Sequence, residues 1–496
     1  MAACAPDKGN YDYVPLEDPC ITGIEESYSV LTNEMFEIKP LSDALTDDWT
    51  YLWKAVYLGN GRDSYVLSQE KNLSVKMSLD EGSYTLVFRA TEPSTGVFWE
   101  KQSALQVSST TSEGWMVLCD EDGRTRLDFV SSITGKTYTD VIDGLEGRGK
   151  PQELFYSYYS DPDSPFYLIT SGGATRLSKQ GFALDESYDL KYEMGGGEVS
   201  DVGVIADGIQ GKLLVAGGNL YYSDCVVGVG LFASVQSSAE FAPKVGVNLL
   251  TRNIVVPCYL LYDISGKRFM GYAPALGSDD LGHYDTLHEM NSLVQLLSTM
   301  EGGGRVTGNA FQSFPKGLDF VDMSSTMYDP SNTSMGIIYT VLADGAKRYV
   351  YGIQLGELWG AVTVGDCSYA IGKALYKDIS GCTDIDKAEH FAFSPLRSAM
   401  YYSIGGKVWM SDLSEEEPCS KLILNYGPSE KISVLKFQKY ENTENLMRNY
   451  DLIVATQSGA LRVYEGFNSG GDFTGAKPST YEGLGNIVDV NYRELL

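Results

Sequence analysis

The chain has 496 residues, a formal net charge of −28 and 12% aromatic residues. This length is sufficient for two or more domains with full cores. Nucleic-acid binding depends on Lys and Arg side chains that neutralise phosphates, so the acidic balance argues against nucleic acid as a partner. No apolar run of about 18 residues occurs, and the sequence therefore predicts no membrane-spanning segment.

The first residues predict a lipid anchor. Ala2 and Ala3 precede Cys4, and two small residues before a cysteine are typical of the end of a bacterial lipoprotein signal. Residues 1–20 are otherwise polar and acidic without a periodic apolar pattern, as in a tether. This interpretation predicts a soluble body that meets the membrane only through its lipid. An ordinary thiol at Cys4 is the alternative.

Residues 21–110 contain short runs with a period of two, which is typical of β-strands. The run from Asp80 to Ala90 is the clearest and places every second side chain on one face. Roughly seven such strands predict an immunoglobulin-like sandwich. Trp53 lies on an early strand, and we expect it in the core of the sandwich rather than at a ligand.

One hairpin pattern occurs seven times in residues 111–496. Each copy has an apolar run, a turn with glycine and a second strand-like run, and glycine allows positive φ without a steric cost. The copies are mostly about 45 to 60 residues apart, close to the length of a four-stranded blade. We predict a β-propeller with seven blades; eight blades are the main rival, and six blades or a solenoid remain open. The turns lie at 121–123, 171–173, 217–219, 265–267, 344–346, 405–407 and 458–460.

Two features depart from the regular repeat. In the longest interval, Leu287, Met290 and Leu293 recur at helical spacing, which predicts a helical insertion near 283–304. Near the end of the chain, Ile487–Val490 is strand-like. We expect it to pair with the first blade, because such pairing removes an open sheet edge.

Few motifs carry recognisable chemistry. His283, His288 and His390 are the only histidines, and the sequence has no HExxH motif, nucleophile elbow or phosphate-binding loop. We therefore expect no catalytic residue, no metal site and no cofactor. The acidic loop 378–386 has oxygen donors that suit calcium, but it lacks the order of an EF-hand, which favours a solvated turn.

The eight cysteines form no CxxC pair, which argues against a zinc ribbon or a thioredoxin-like site. Cys119, Cys225 and Cys258 lie in or beside apolar runs, and we expect them to be buried as small hydrophobic residues. Cys367 and Cys382 are candidates for pairing across a loop.

Tyr156, Tyr158 and Tyr159 are the best candidates for ligand binding. They precede the loop signal Asp161-Pro162-Asp163, and aromatic rings on loops can stack on sugars or on peptide side chains. A tyrosine-rich strand inside a blade would have the same pattern, so packing is the alternative.

Two stretches resemble a known family. Gly82–Thr91 resembles the signature strand of PKD domains, although Glu92 stands where that pattern usually has Asp. Asp7–Tyr13, shortly after Cys4, resembles the Asp-Lys-Gly-Asn-Tyr-Asp-Tyr start of the PKD-like surface lipoproteins of Bacteroidota. This resemblance implies a lipid on Cys4 and a PKD-like sandwich followed by a long β domain.

Members of that family are typically encoded beside a SusC-like TonB-dependent transporter and a SusD-like lipoprotein, which import oligosaccharides or peptides. The resemblance therefore implies a non-catalytic accessory lipoprotein of nutrient uptake on the extracellular face of the outer membrane. Two other functions stay open: a polysaccharide lyase or glycosidase at the cell surface, and a structural scaffold for other lipoproteins.

Overall fold

The computed structural model describes residues 18–59, 63–156, 166–178, 182, 184–197, 199–208, 211–224, 230–250, 259–273, 286–290, 305–358 and 368–494. These residues form strands far more than helices, so the all-β prediction is confirmed. The chain divides into two compact units, Met1–Thr110 and Thr111–Leu496. Within the described ranges, no helix is long and apolar enough to cross a membrane.

The first unit contains a five-stranded sheet in the order β1-β7-β6-β3-β4 and a separate β2–β5 pair. Trp53 is fully buried in the shared core, as expected, and its ring lies 4.6 Å from that of Phe88. Tyr84 and Leu86 also belong to this core, so the alternating face of β6 is confirmed. The strands are β1 (Ser27–Leu31), β2 (Met35–Ile38), β3 (Thr50–Tyr57), β4 (Ser64–Ser68), β5 (Leu73–Lys76), β6 (Gly82–Thr91) and β7 (Phe98–Ser108).

The first half of the second unit contains the following strands and one short helix. They are β8 (Gly114–Glu121), β9 (Arg124–Ser131), β10 (Thr137–Tyr138), β11 (Pro151–Tyr156), β12 (Phe166–Thr170), β13 (Gly173–Leu177), β14 (Leu184–Asp189), α1 (Leu190–Glu193), β15 (Val202–Gly208), β16 (Gly211–Ala216), β17 (Asn219–Asp224), β18 (Phe232–Val235), β19 (Tyr259–Asp263), β20 (Arg268–Ala273) and β21 (Thr286–Glu289).

The second half continues with strands and two 3₁₀ helices. They are β22 (Arg305–Thr307), β23 (Asp319–Ser325), β24 (Ile337–Asp344), β25 (Lys347–Leu358), β26 (Ser368–Asp378), a 3₁₀ helix (Ile385–Lys387), β27 (His390–Phe393), β28 (Ala399–Ile404), β29 (Lys407–Asp412), β30 (Ser420–Asn425), β31 (Ile432–Phe437), a 3₁₀ helix (Thr443–Tyr450), β32 (Leu452–Thr456), β33 (Leu461–Tyr464), β34 (Ser479–Tyr481) and β35 (Asn486–Arg493).

In the described part of the second unit these strands form seven sheets, which we number in chain order. Sheet 1 is β10-β9-β8-β35, sheet 2 is β11–β14, sheet 3 is β15–β18 and sheet 4 is β19–β21. Sheet 5 is β22-β26-β25-β24-β23, sheet 6 is β27–β30 and sheet 7 is β31–β34. Each of the seven predicted hairpins is present as an antiparallel pair.

Seven buried clusters join each sheet to the next, and one of them joins sheet 7 to sheet 1. In β8, Met116 and Leu118 pack towards sheet 2, whereas Trp115 and Val117 pack towards sheet 7. Both faces of this strand are therefore buried, which explains its unbroken apolar run. The arrangement is propeller-like.

The predicted closing strand is confirmed. Ile487 lies opposite Cys119, and Val490 lies opposite Val117, in the antiparallel pair of β35 with β8. The first sheet is thus completed by the last strand of the chain, which leaves β8 without an open edge.

Of the predicted helical insertion near 283–304, the structure describes only residues 286–290, in which Met290 is helical, and the insertion stays a prediction. Thr286–Glu289 is strand β21, and it pairs with β20 so that Leu287 lies opposite Tyr272. Pairing with β20 gives the backbone of these four residues the hydrogen bonds of a β-sheet. Helical spacing over so few residues does not distinguish a helix from a strand. Residues 283–285 and 291–304 lie outside the described ranges.

Candidate functional site

One edge strand of each sheet lies towards the middle of the second unit, and we call these the inner strands. β11 and β31 both contact β35, β27 contacts β31, and β23 contacts β27. Sheet 3 contributes β15. In sheet 4 the inner position is taken by residues 241–246, which bridge to β19 at two points.

Five inner strands carry a register shift near their start. The shifts lie between Pro151 and Glu153, Val202 and Val204, Phe320 and Asp322, Ile432 and Val434, and Ile487 and Asp489. A bulge inserts one extra residue and re-aims the side chains that follow it. In three of the five strands, the residue after the shift is a carboxylic acid.

Those three acids interact electrostatically with two lysines from other sheets. Lys244 of sheet 4 interacts electrostatically with Glu153, Asp322 and Asp489, which belong to sheets 2, 5 and 1. Glu153 in turn interacts with Lys436 of sheet 7. Side chains from five sheets can act on one another in this way only where the inner strands converge. We call Glu153, Lys244, Asp322, Lys436 and Asp489 the axial set.

Asp489 is the best-connected member of the axial set. Its carboxylate accepts a hydrogen bond from Lys436 Nζ at 2.7 Å and another from the backbone N–H of Leu154 at 2.9 Å. Two residues further along β35, Asn491 donates to the carbonyl of Leu154 at 3.1 Å. Charge and hydrogen bonds therefore tie sheet 1 to its neighbours on both sides.

Lys244 and Glu153 have no such partner. Among the described residues, neither side chain forms a salt bridge or a side-chain hydrogen bond. Burial lowers the pKa of Lys244, but attraction by Glu153, Asp322 and Asp489 outweighs it, and the net pKa is raised. Its ammonium is therefore a cation under the influence of three acids.

Two of the carboxyl groups near Lys244, those of Glu153 and Asp322, have raised pKa values. Burial, with repulsion by Asp489, raises the pKa of Glu153, although Lys244 and Lys436 oppose the shift. Burial also raises the pKa of Asp322 to about 6. The cause in both cases is removal from bulk water, which disfavours the charged form.

The side chains of Lys244, Glu153 and Asp322 retain accessible surface. Lys244 is exposed, and Glu153 and Asp322 are half-buried. Solvent, or a ligand, can therefore reach all three side chains. His390, the first residue of β27, lies close enough for Lys244 to affect it, and burial lowers the pKa of its imidazole.

A small cavity of about 70 Å³ lies among the C-terminal ends of three inner strands. Its lining includes Ser325 of β23, Phe393 of β27 and Lys436 of β31, with Gln438 and Asn449 nearby. Lys436 belongs both to this cavity and to the axial set. The cavity offers hydroxyl, amide and ammonium groups beside an aromatic ring, and it can therefore accept the polar end of a ligand.

No group of three metal-ligating side chains occurs in the ranges that the structure covers. In the predicted calcium loop, Asp384 pairs with Lys387 Nζ at 2.7 Å, and both side chains are more than half exposed. This pair fits the solvated turn that the sequence favoured.

Of the predicted ligand-binding residues, only Tyr156 is described. It lies opposite Phe166 in sheet 2, the ring centroids are 4.9 Å apart, and the side chain packs against a buried cluster. This contact matches the packing alternative, and the ligand-binding role stays a prediction. Tyr158, Tyr159 and the lipidation candidate Cys4 lie outside the described residues.

Sequence reasoning missed the axial set. A usable signal was present, because Pro151-Gln152-Glu153, Phe320-Val321-Asp322 and Ile487-Val488-Asp489 each place an acid two positions after an apolar residue on an inner strand. In a regular strand, side chains two positions apart share a face, so the acid would be buried with the apolar residue. A stable strand avoids this arrangement unless a bulge turns the acid away.

Comparison with known proteins gives one family match. The family model described as PKD-like family matches residues 4–151, less than a third of the chain. The PKD-like resemblance is thereby confirmed for this part, which starts at Cys4. No curated protein matches the chain.

Several solved structures are similar to the chain at low identity. A quinonprotein alcohol dehydrogenase-like protein from Bacteroides thetaiotaomicron has 13% identity and a TM-score of 0.38, covering 95% of this chain and 94% of that one. The Neurospora crassa Pan2 WD40 domain has 9% identity and a TM-score of 0.36, covering 68% and 82%.

A DUF4784 family protein from Bacteroides caccae has 9% identity and a TM-score of 0.29, covering 96% and 98%. These TM-scores are too low to identify a family or a function. What the comparisons identify is the amino-terminal part of the chain, which is similar to the PKD-like family over residues 4–151.

Proposed function

We propose that this protein is a non-catalytic accessory component of a SusC/SusD-type nutrient importer. A lipid on Cys4 anchors it to the extracellular face of the outer membrane. Residues 21–110 form a PKD- or immunoglobulin-like sandwich, and residues 111–496 form a seven-bladed β-propeller. The propeller captures an oligosaccharide or a peptide.

The observation that carries the binding role is the axial set. Lys244 and Glu153 remain without a salt bridge among the described residues, although neighbouring groups perturb the pKa of each. Charged groups that the protein removes in part from water gain by pairing, because an uncompensated charge there is costly. A polar ligand with hydroxyl or amide groups supplies such partners and gains charge-assisted hydrogen bonds.

The importer context is supported by the family match, which starts at Cys4 and continues through the first unit. The test is affinity purification of the tagged protein from detergent-solubilised outer membranes, with the co-purified proteins identified by mass spectrometry. Stoichiometric SusC-like and SusD-like partners are expected. Recovery of the protein alone would contradict the accessory role.

Two matched pairs of variants separate anchoring from ligand capture. Cys4→Ser should release the protein from the membrane fraction, whereas Cys20→Ser, at an exposed thiol, should not. Lys244→Gln should weaken binding of oligosaccharides or peptides in a panel at least tenfold, which is about 1.4 kcal/mol. Lys267→Gln, an exposed lysine of the β19–β20 turn, should leave binding unchanged. Equal binding by both variants would remove the axial set from the ligand site.

One observation favours a second candidate, a surface glycosidase. Asp322 has a pKa of about 6, and a general acid that works near neutral pH needs a raised pKa of this kind. Turnover of a polysaccharide that is abolished by Asp322→Asn would establish this function. Absence of turnover over a broad panel of polysaccharides would exclude it in favour of binding alone.

A further inference from the structure

Cys382, in the connection between β26 and β27, lies near Cys419, just before β30, although 36 residues separate them in the chain. Cys382 Sγ lies 3.6 Å from the carbonyl oxygen of Pro418, which precedes Cys419. Next to the two cysteines, the backbone N–H of Thr383 donates to Ser420 Oγ at 2.8 Å. The segments that carry the two cysteines are therefore held together on both sides of the thiols.

The contact with Pro418 limits how far Cys382 Sγ can lie from Cys419. Standard peptide dimensions place a carbonyl oxygen about 2.8 Å from the next Cα, so Cys382 Sγ lies at most about 6.4 Å from the Cα of Cys419. Both residues are free thiols in the structure, and Cys419 affects the pKa of Cys382. Residues 414–417, which lead to Cys419, are exposed and leave this strand end room to adjust.

We propose that Cys382 and Cys419 form an intrachain disulfide when the protein reacts with a small disulfide such as oxidised glutathione. The bond ties the connection after β26 to the residue that precedes β30. β30 is the outer edge strand of sheet 6, and an edge strand is held by one neighbour only. The disulfide thus fixes the strand that is most easily detached from this sheet.

The chemistry is two consecutive thiol–disulfide exchanges. Cys419 is exposed, so its thiolate attacks a small disulfide and releases one thiol. Cys382 then loses its proton and attacks the sulfur of Cys419, which releases the second thiol. The two protein thiols are oxidised and the small disulfide is reduced to two thiols. Burial raises the pKa of Cys382, so the second step should be the slow one and should accelerate with pH.

This pairing differs from the one that the sequence suggested for Cys382. Cys367 lies outside the described residues, whereas the structure places Cys419 next to Cys382. The inference does not depend on the proposed function, since it needs only the fold and an oxidant.

The test uses the full chain, reduced and then incubated with oxidised and reduced glutathione. The protein is denatured, alkylated and digested, and peptides are identified by mass spectrometry. We expect a linked peptide pair that contains Cys382 and Cys419, two fewer alkylated thiols and a mass lower by two hydrogens. The oxidised protein should melt about 5 °C above the reduced protein.

Two serine variants make the result specific. Cys419→Ser should leave Cys382 fully alkylated and abolish the difference in melting temperature, whereas Cys20→Ser, at an exposed thiol of the first unit, should behave as the parent chain. Cys382 linked to any other cysteine, or a Cys382 thiol that stays reduced while Cys419 carries glutathione, would overturn the proposal.

Discussion

Lys436 Nζ lies 2.7 Å from Asp489 Oδ1, and this pair joins sheet 7 to the strand that completes sheet 1. The other carboxylate oxygen of Asp489 accepts from the N–H of Leu154 in sheet 2. One carboxylate thus binds groups from the sheets before and after its own. The pair lies at the place where the chain closes on itself, so its loss should affect the whole second unit.

We expect Asp489→Ala to destabilise the second unit by about 2–3 kcal/mol, because it leaves Lys436 without its partner and the N–H of Leu154 unsatisfied. Asp489→Asn should cost less, since the amide oxygen still accepts one hydrogen bond. Denaturant unfolding measures both. Lys387→Ala is the control, because Lys387 also pairs at 2.7 Å but with most of its side chain exposed. Equal losses for Lys387→Ala and Asp489→Ala would refute the closing role.

A second prediction concerns packing on the same strand. Ile487 is fully buried in the cluster between sheets 7 and 1, whereas the adjacent Val488 is half-buried. Ile487→Ala should cost about 2–4 kcal/mol through lost contacts and a residual cavity. Val488→Ala should cost clearly less. Thermal unfolding of both variants gives the comparison, and a larger loss for Val488→Ala would show that the register of β35 is incorrect.

The hairpins were predictable because their signals are local. In the turn between β24 and β25, Gly345 adopts a φ of +59°, which favours glycine, and the flanking apolar runs contain the strands. The closing strand was predictable for a related reason, since β35 is an apolar run that required a partner. Both arguments use only neighbouring residues and the requirement to bury apolar surface.

The axial set and the cysteine pair were not predictable in this way. Lys244 and Glu153 come from different sheets of the second unit and interact electrostatically. Their proximity depends on how the sheets are arranged. Cys382 meets Cys419 because the connection after β26 runs beside β30. The strand at Thr286–Glu289, where helical spacing begins, has the same origin, because four residues satisfy both periods and the partner strand β20 decides the outcome.

A third prediction concerns a buried ion pair between sheets 2 and 3. Lys212 Nζ lies 2.7 Å from Glu193 Oε2, and the hydroxyl of Tyr167 donates to the same carboxylate oxygen at 2.9 Å. Lys212 is 4% exposed and is compensated by Glu193, which also pairs with Arg176 Nε at 3.1 Å. We expect Lys212→Met and Glu193→Gln each to destabilise the protein by about 2–4 kcal/mol.

The double variant should lose less than the sum of the single variants, with a coupling energy of about 1–3 kcal/mol. Lys191→Met is the matched control, because Lys191 is largely exposed and lies 3.9 Å from its nearest carboxylate. Additive losses in the double-mutant cycle would show that Lys212 and Glu193 do not compensate each other.

The last prediction is the pH dependence that Asp322 produces. Burial raises its pKa to about 6 in the folded protein, whereas an unfolded Asp titrates near its ordinary value of about 3.9. Between these values the folded state binds more protons than the unfolded state. The contribution of Asp322 to the free energy of unfolding is therefore fully present below about pH 4. It is lost as the pH rises through about 6.

Asp322→Asn stays neutral at every pH, so it should match the parent chain near pH 4 and become the more stable of the two above pH 6. The expected gain is about 1–2 kcal/mol, because Asp322 is half-buried and solvent reduces the full effect. Urea unfolding of both proteins between pH 4 and pH 7.5 measures the difference. Asp319→Asn, an exposed carboxylate on the same strand, should show no such trend. A difference between Asp322→Asn and the parent that stays constant or falls with pH would mean that Asp322 is solvated as an ordinary surface acid.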